Sequence, residues 1–157
     1  MRRSSIVLLL LMSATPANAS GTIYYGSRAG MEVSVISVEG LNTSHAVIHT
    51  KHTRENAIAF CRDYVGEVTE DCIRKELAIP LNDIITANCN TGEFADFHGN
   101  RYKFLGPNRA RGDLVMAKYA IMDLGTREIA NGSMASGYPV NIDIYRALCP
   151  ARVPIDE

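Results

Sequence analysis

Apolar and polar positions along this chain follow two rhythms, one of period two and one near 3.6. Residues 22–26 predict a short strand with Ile23 and Tyr25 on one face. Residues 31–38 alternate more fully, with Val33 and Val35 on one side and Ser34 and Ile36 on the other. The turn at Glu39-Gly40-Leu41-Asn42 ends that run, and residues 46–50 predict a third strand. The rhythm then changes. Thr53 caps a predicted helix over residues 54–65, where Ala57, Phe60, Cys61 and Tyr64 fall at i, i+3, i+4 and i+7. A second helix is predicted over residues 70–78, capped by Thr69, with Glu70 and Asp71 in its first turn. Cys72, Ile73 and Leu77 are expected to face inward, and Pro80 blocks any extension.

From residue 85 the pattern returns to short strands divided by turns. Ile85, Ala87 and Cys89 share one parity, and Asn90-Thr91-Gly92 turns into a strand over residues 93–97. After His98-Gly99-Asn100, Tyr102 and Phe104 point one way while Arg101 and Lys103 point the other. Residues 106–112 read as a polar loop, residues 114–124 as a bent or bulged strand, and residues 127–130 as a last short strand. Val140, Ile144 and Leu148 recur at helical spacing over residues 140–148, and Pro150 stops that helix. The fold class is therefore α+β. The expected architecture is a curved antiparallel sheet or small partly open barrel, with a helical hairpin and a C-terminal helix.

The first nineteen residues follow neither rhythm. Arg2 and Arg3 precede an unbroken apolar run over residues 6–12, then Pro16 and Ala17-Asn18-Ala19. This is the layout of a secretory signal peptide cleaved after Ala19, and the run is too short to span a bilayer. Residues 20–157 are then one mature domain, without repeats or a long linker. The leader takes two arginines and no acids with it. That leaves 138 of the 157 residues, with 14 basic and 17 acidic side chains and a formal charge of −3. The whole chain is 46% apolar, which excludes a disordered protein, and its net charge of −1 excludes a dedicated nucleic-acid binder. The absence of tryptophan argues against aromatic sugar platforms. The address expected is periplasmic or secreted, in a bacterial envelope.

An exported chain with four cysteines implies two disulfides. Cys61 and Cys72 in one unbroken helix would stand roughly 16 Å apart, too far to bond. A break at Gly66 folds a hairpin that brings them together, which leaves Cys89 to pair with Cys149. There is no C-x-x-C, and no cysteine has a histidine within five residues, so the pattern offers neither a zinc site nor redox chemistry.

Catalytic chemistry finds little support. His45, His49 and His52 lie near Glu55, but on a strand His52 faces away from the other two. Ser133 and Ser136 lack the Gly-x-Ser-x-Gly elbow. Glu67, Glu70, Asp71 and Glu76 read as a solvated helix surface, and Glu93 and Asp96 have opposite parity. No catalytic residue, metal ligand or cofactor is assigned. Charge is distributed unevenly: residues 20–96 carry 6 bases and 11 acids, and residues 97–157 carry 8 and 6. Arg101, Lys103, Arg109 and Arg111, with Lys118, form a basic hairpin and loop. They are the candidate surface for an anionic envelope component or an acidic protein face. A charged guard on a sheet edge is the plainer alternative.

The segments Ala59-Phe60-Cys61-Arg62-Asp63-Tyr64-Val65-Gly66, Asn88-Cys89-Asn90-Thr91-Gly92-Glu93-Phe94 and Ala135-Ser136-Gly137-Tyr138-Pro139 resemble small exported bacterial proteins of unassigned function. The resemblance lies in cysteine framework and turn pattern and implies no active-site residue. The function expected is non-enzymatic binding of an envelope component or protein partner. A secreted inhibitor or host-directed effector is the first alternative and a small hydrolase the second.

Overall fold

The computed structural model describes residues 21–109, 117–130, 132 and 137–154. The leader predicted over residues 1–19 lies outside them, as do Ser133 and Ser136. Eight strands form one antiparallel meander: β1 (Thr22–Tyr24), β2 (Glu32–Glu39), β3 (Ala46–Lys51), β4 (Ile84–Asn88), β5 (Glu93–Ala95), β6 (Arg101–Pro107), β7 (Tyr119–Asp123) and β8 (Ile129–Ala130). Among the described residues each strand pairs only with its neighbours in sequence, so the sheet is open, with edges at β1 and β8. The helices are α1 (Arg54–Phe60), α2 (Glu70–Leu77) and α3 (Tyr138–Leu148). The α+β architecture expected from the sequence is the one observed.

Period two decides which side chains enter the core. Val33, Ala46, Ile48, Ile85, Ala87, Phe94 and Ile121 all point to one face of the sheet and are buried. Helix α3 lies across that face and touches β1 and β7, near opposite edges, so the sheet curves around it. The Tyr145 ring of α3 is fully buried between Phe94 and Phe104, with centroids 5.1 and 4.6 Å away. At the start of α3, the Tyr138 hydroxyl donates to the Tyr119 carbonyl at 2.8 Å and anchors the helix to β7.

Both predicted disulfides are present. Cys89 and Cys149 are joined with Cα atoms 5.6 Å apart, which fixes the end of α3 to the end of β4. Asn42 reinforces this joint. Its N–H donates to the Leu148 carbonyl, and its side chain accepts from the Ala151 N–H. The Cys61–Cys72 bond has a Cα separation of 6.1 Å. It becomes possible because α1 runs into a π-helical turn over Cys61–Val65, ended by Gly66 in the left-handed region with φ +81°. The hairpin thus has its own small core of Ala57, Cys61 and Ile73, separate from the main one.

Several boundaries and faces differ from the sequence reading. The helix predicted over residues 54–65 is α-helical only to Phe60. The π turn carries Tyr64 out of the expected stripe, leaving it exposed and stacked on Phe60 under Arg28. In α2, Leu77 is 40% exposed and Glu76 is only 3% exposed, the reverse of the expectation. Strand β6 continues through Pro107, where a loop was expected, because a bulge around Leu105 with Gly106 at φ +87° keeps it in register with β7. The described part of β7 begins at Tyr119. Helix α3 starts at Tyr138, since Pro139 fits the first turn of a helix.

Candidate functional site

Arg101 and Lys103 project from the outer face of β6, as their parity predicted. Glu93 on β5 stands directly opposite Lys103 and forms an ion pair with Arg101, Nη2 to Oε2 at 2.9 Å. One carboxylate therefore sits within the basic row. Arg109 is exposed just beyond β6, and Lys118 lies across the same ladder, its carbonyl accepting from the Asn108 N–H at 2.9 Å. The Lys118 ammonium is 5.8 Å from the centre of the Tyr119 ring. Arg111 lies outside the described residues. Four of the five candidate cations thus share one ladder, two along the strand and two at its end.

The histidines diverge. His45 is exposed and hydrogen-bonded to Ser44, His49 reaches Glu39 across the strand pair at 3.8 Å, and His52 turns inward. Among the described residues, no three histidine, cysteine, aspartate or glutamate side chains are placed to hold a metal ion. Asp96 is buried and spends its carboxylate on the β5–β6 turn, accepting from the His98 and Asn100 N–H groups.

The buried polar centre is one the sequence reading missed. Tyr25, just after β1, donates its hydroxyl to the Glu76 carboxylate of α2. The Nε2 atom of His52, just after β3, lies 3.8 Å from the same carboxylate, and both its ring nitrogens are buried without a hydrogen-bond partner. The Tyr25 and His52 rings meet edge to face at 5.4 Å. Burial, reinforced by Glu76, pushes the Tyr25 phenol far above its ordinary range. Burial also lowers His52 below 6.5, against the pull of Glu76. This cluster joins the helical hairpin to the sheet and shows little surface: Tyr25 is 4% and Glu76 3% exposed, and Glu76 also borders a hollow of about 470 Å³ with Phe60, Thr69 and Lys75.

An open groove runs between β1 and α3. Its volume is about 630 Å³, and Ile23, Tyr24, Ala147 and Val153 form much of its wall, with Asp143 and Arg146 at the rim. A second hollow of about 300 Å³ shares Tyr24 and Asp143 and continues along α3 to Pro139. The Asp143 carboxyl is raised by burial and held down in part by Arg146, whose Nη1 lies 2.5 Å from Oδ1. One wall of the groove is a strand edge. Tyr25 N–H donates to Met31 O and Val35 N–H to Gly21 O. Antiparallel alternation then directs the N–H and C=O of Thr22 and Tyr24 away from β2. The sequence shows this feature only indirectly, as a short strand predicted over residues 22–26 with no Lys or Pro to guard it.

Comparison with family models, curated proteins and solved structures finds no match for this chain.

Proposed function

We propose that the chain is an exported, non-enzymatic binding protein that engages a protein partner in the groove between β1 and α3. The observation that carries this reading is the conjunction of a strand edge that is unpaired among the described residues with an apolar groove beside it. The two disulfides suit an oxidising compartment, as the predicted leader does. Among the described residues, no helix is long and apolar enough to cross a membrane. The hydrolase alternative requires histidine and acid side chains to converge in an open pocket. Among the described residues the convergence is Tyr25 with His52 and Glu76, and Tyr25 and Glu76 are buried.

A second reading places an anionic partner on the outer face of β6. Arg101 and Lys103 share that face, but Glu93 offsets them. Photocrosslinking separates the two. A photoreactive residue at Tyr24 should capture a protein from envelope or medium extracts, and one at Lys103 should not. Capture from Lys103 alone would overturn the groove reading in favour of the basic face with Arg109 and Lys118.

A further inference from the structure

We infer that the β1–α3 groove takes an extended, uncharged segment of a partner chain, about five residues long, which adds to the β1 edge as a ninth strand. This rests on the reading that the groove holds a protein. The backbone argues for the mode. An occupant covering the groove takes water away from the N–H and C=O groups of Thr22 and Tyr24, and each must find a new partner. A lipid tail or an apolar small molecule offers none. A strand supplies a donor and an acceptor at every second residue, which is the spacing of Thr22 and Tyr24.

The two sheet edges differ in a way that points to the same conclusion. The β8 edge is two residues long, and charged Arg127 and Glu128 immediately precede it. The β1 edge has no charge, proline or bulge in Thr22–Tyr24, and Tyr24 is 46% exposed beside it. Edge strands left open in this way pair with other chains.

The helix sets the length. The groove and the second hollow that continues it together follow α3 from Pro139 to Pro150, about 17 Å at 1.5 Å per helical residue. That distance accommodates about five residues of extended chain at roughly 3.3 Å each. Alternate side chains of such a segment meet Ile23, Ala147 and Pro150. Charge restricts the sequence. Asp143 and Arg146 already neutralise one another at the rim, so a lone charge entering the groove would be desolvated without a counterion.

The test uses the disulfide-bonded mature chain and a synthetic probe, an acetylated and amidated Thr-Val-Thr-Val-Thr peptide. Amide hydrogen exchange is followed at Thr22 and Tyr24. Saturable protection of both amides is expected. N-methylation of alternate peptide bonds should weaken binding by roughly tenfold or more in one phase and little in the other, because only one set of amides faces the edge. Replacing either valine by lysine should also weaken binding, as should Ala147→Glu in a protein whose near-ultraviolet spectrum is unchanged. Absent protection at millimolar peptide, or equal loss from both methylation phases, would overturn strand addition. A protein crosslinked at Tyr24 in the presence of such negative peptide data would overturn the strand mode alone and leave the protein-binding reading in place.

Discussion

The contact between Tyr25 and Glu76 yields a sharp energetic prediction. The tyrosine hydroxyl donates to a carboxylate that is 3% exposed, and among the described residues the other ionisable group against that carboxylate is His52 at 3.8 Å. A buried hydrogen bond to a charged group contributes about 1.5–3 kcal/mol. Tyr25→Phe leaves the carboxylate buried without its donor, and Glu76→Leu leaves the phenol without its acceptor. Each should cost about 2 kcal/mol. For a domain of this size that is a fall of roughly 8 °C in Tm. The double variant removes both polar groups at once and should cost much less than the sum, with a coupling of about 1–3 kcal/mol. Urea denaturation of the four proteins at pH 7.5, followed by tyrosine fluorescence and circular dichroism, measures this cycle. Additivity within about 0.5 kcal/mol would refute the reasoning. So would a neutral Tyr25→Phe, because the hydroxyl would then have no role in holding α2 against the sheet.

His52 and Gly30 provide two further tests. Burial lowers the His52 pKa below 6.5 in the folded chain, so the unfolded chain takes the proton first as pH falls. The contribution of neutral His52 is complete above pH 6.5 and is lost as pH falls through its folded value. Stability measured at pH 8 and pH 5.5 should therefore decline less in His52→Gln than in the parent, and equal slopes would contradict the assignment. Gly30 adopts φ +75°, and a Cβ there would lie 2.5 Å from backbone atoms of Phe60. Gly30→Ala should cost at least about 2 kcal/mol by denaturant titration, combining left-handed strain with a backbone clash. A change under 0.5 kcal/mol would show that α1 does not sit against this turn.

The sheet was legible in the sequence because period two is a strong local signal. Val33 with Val35, and Ile85 with Ala87, follow it, and every strand lies beside the next in sequence. The disulfides were legible through geometry, since Gly66 had to break the helix before Cys61 could meet Cys72. Glu76 was misplaced because an acid in a charged helix reads as solvated, although the hairpin bond held a clue. If Cys72 faces Cys61, Glu76 at i+4 shares that inward face. What selects Glu76 over Leu77 is the Tyr25 hydroxyl, fifty-one residues away, and no local pattern carries that information. The groove was hidden for the same reason, because it joins the two ends of the domain. The shared outward face of Arg101 and Lys103 was visible from parity, while the Glu93 partner came from pairing across β5 and β6.

The claim that binding occurs between β1 and α3 is tested most directly by chemical-shift mapping of the chain over residues 20–157 against the partner crosslinked at Tyr24. Perturbations centred on Thr22, Tyr24, Asp143 and Ala147, with Lys103 and Met122 unmoved, are the predicted result. Perturbations confined to Lys103, Leu105 and Met122 on the outer face would contradict it.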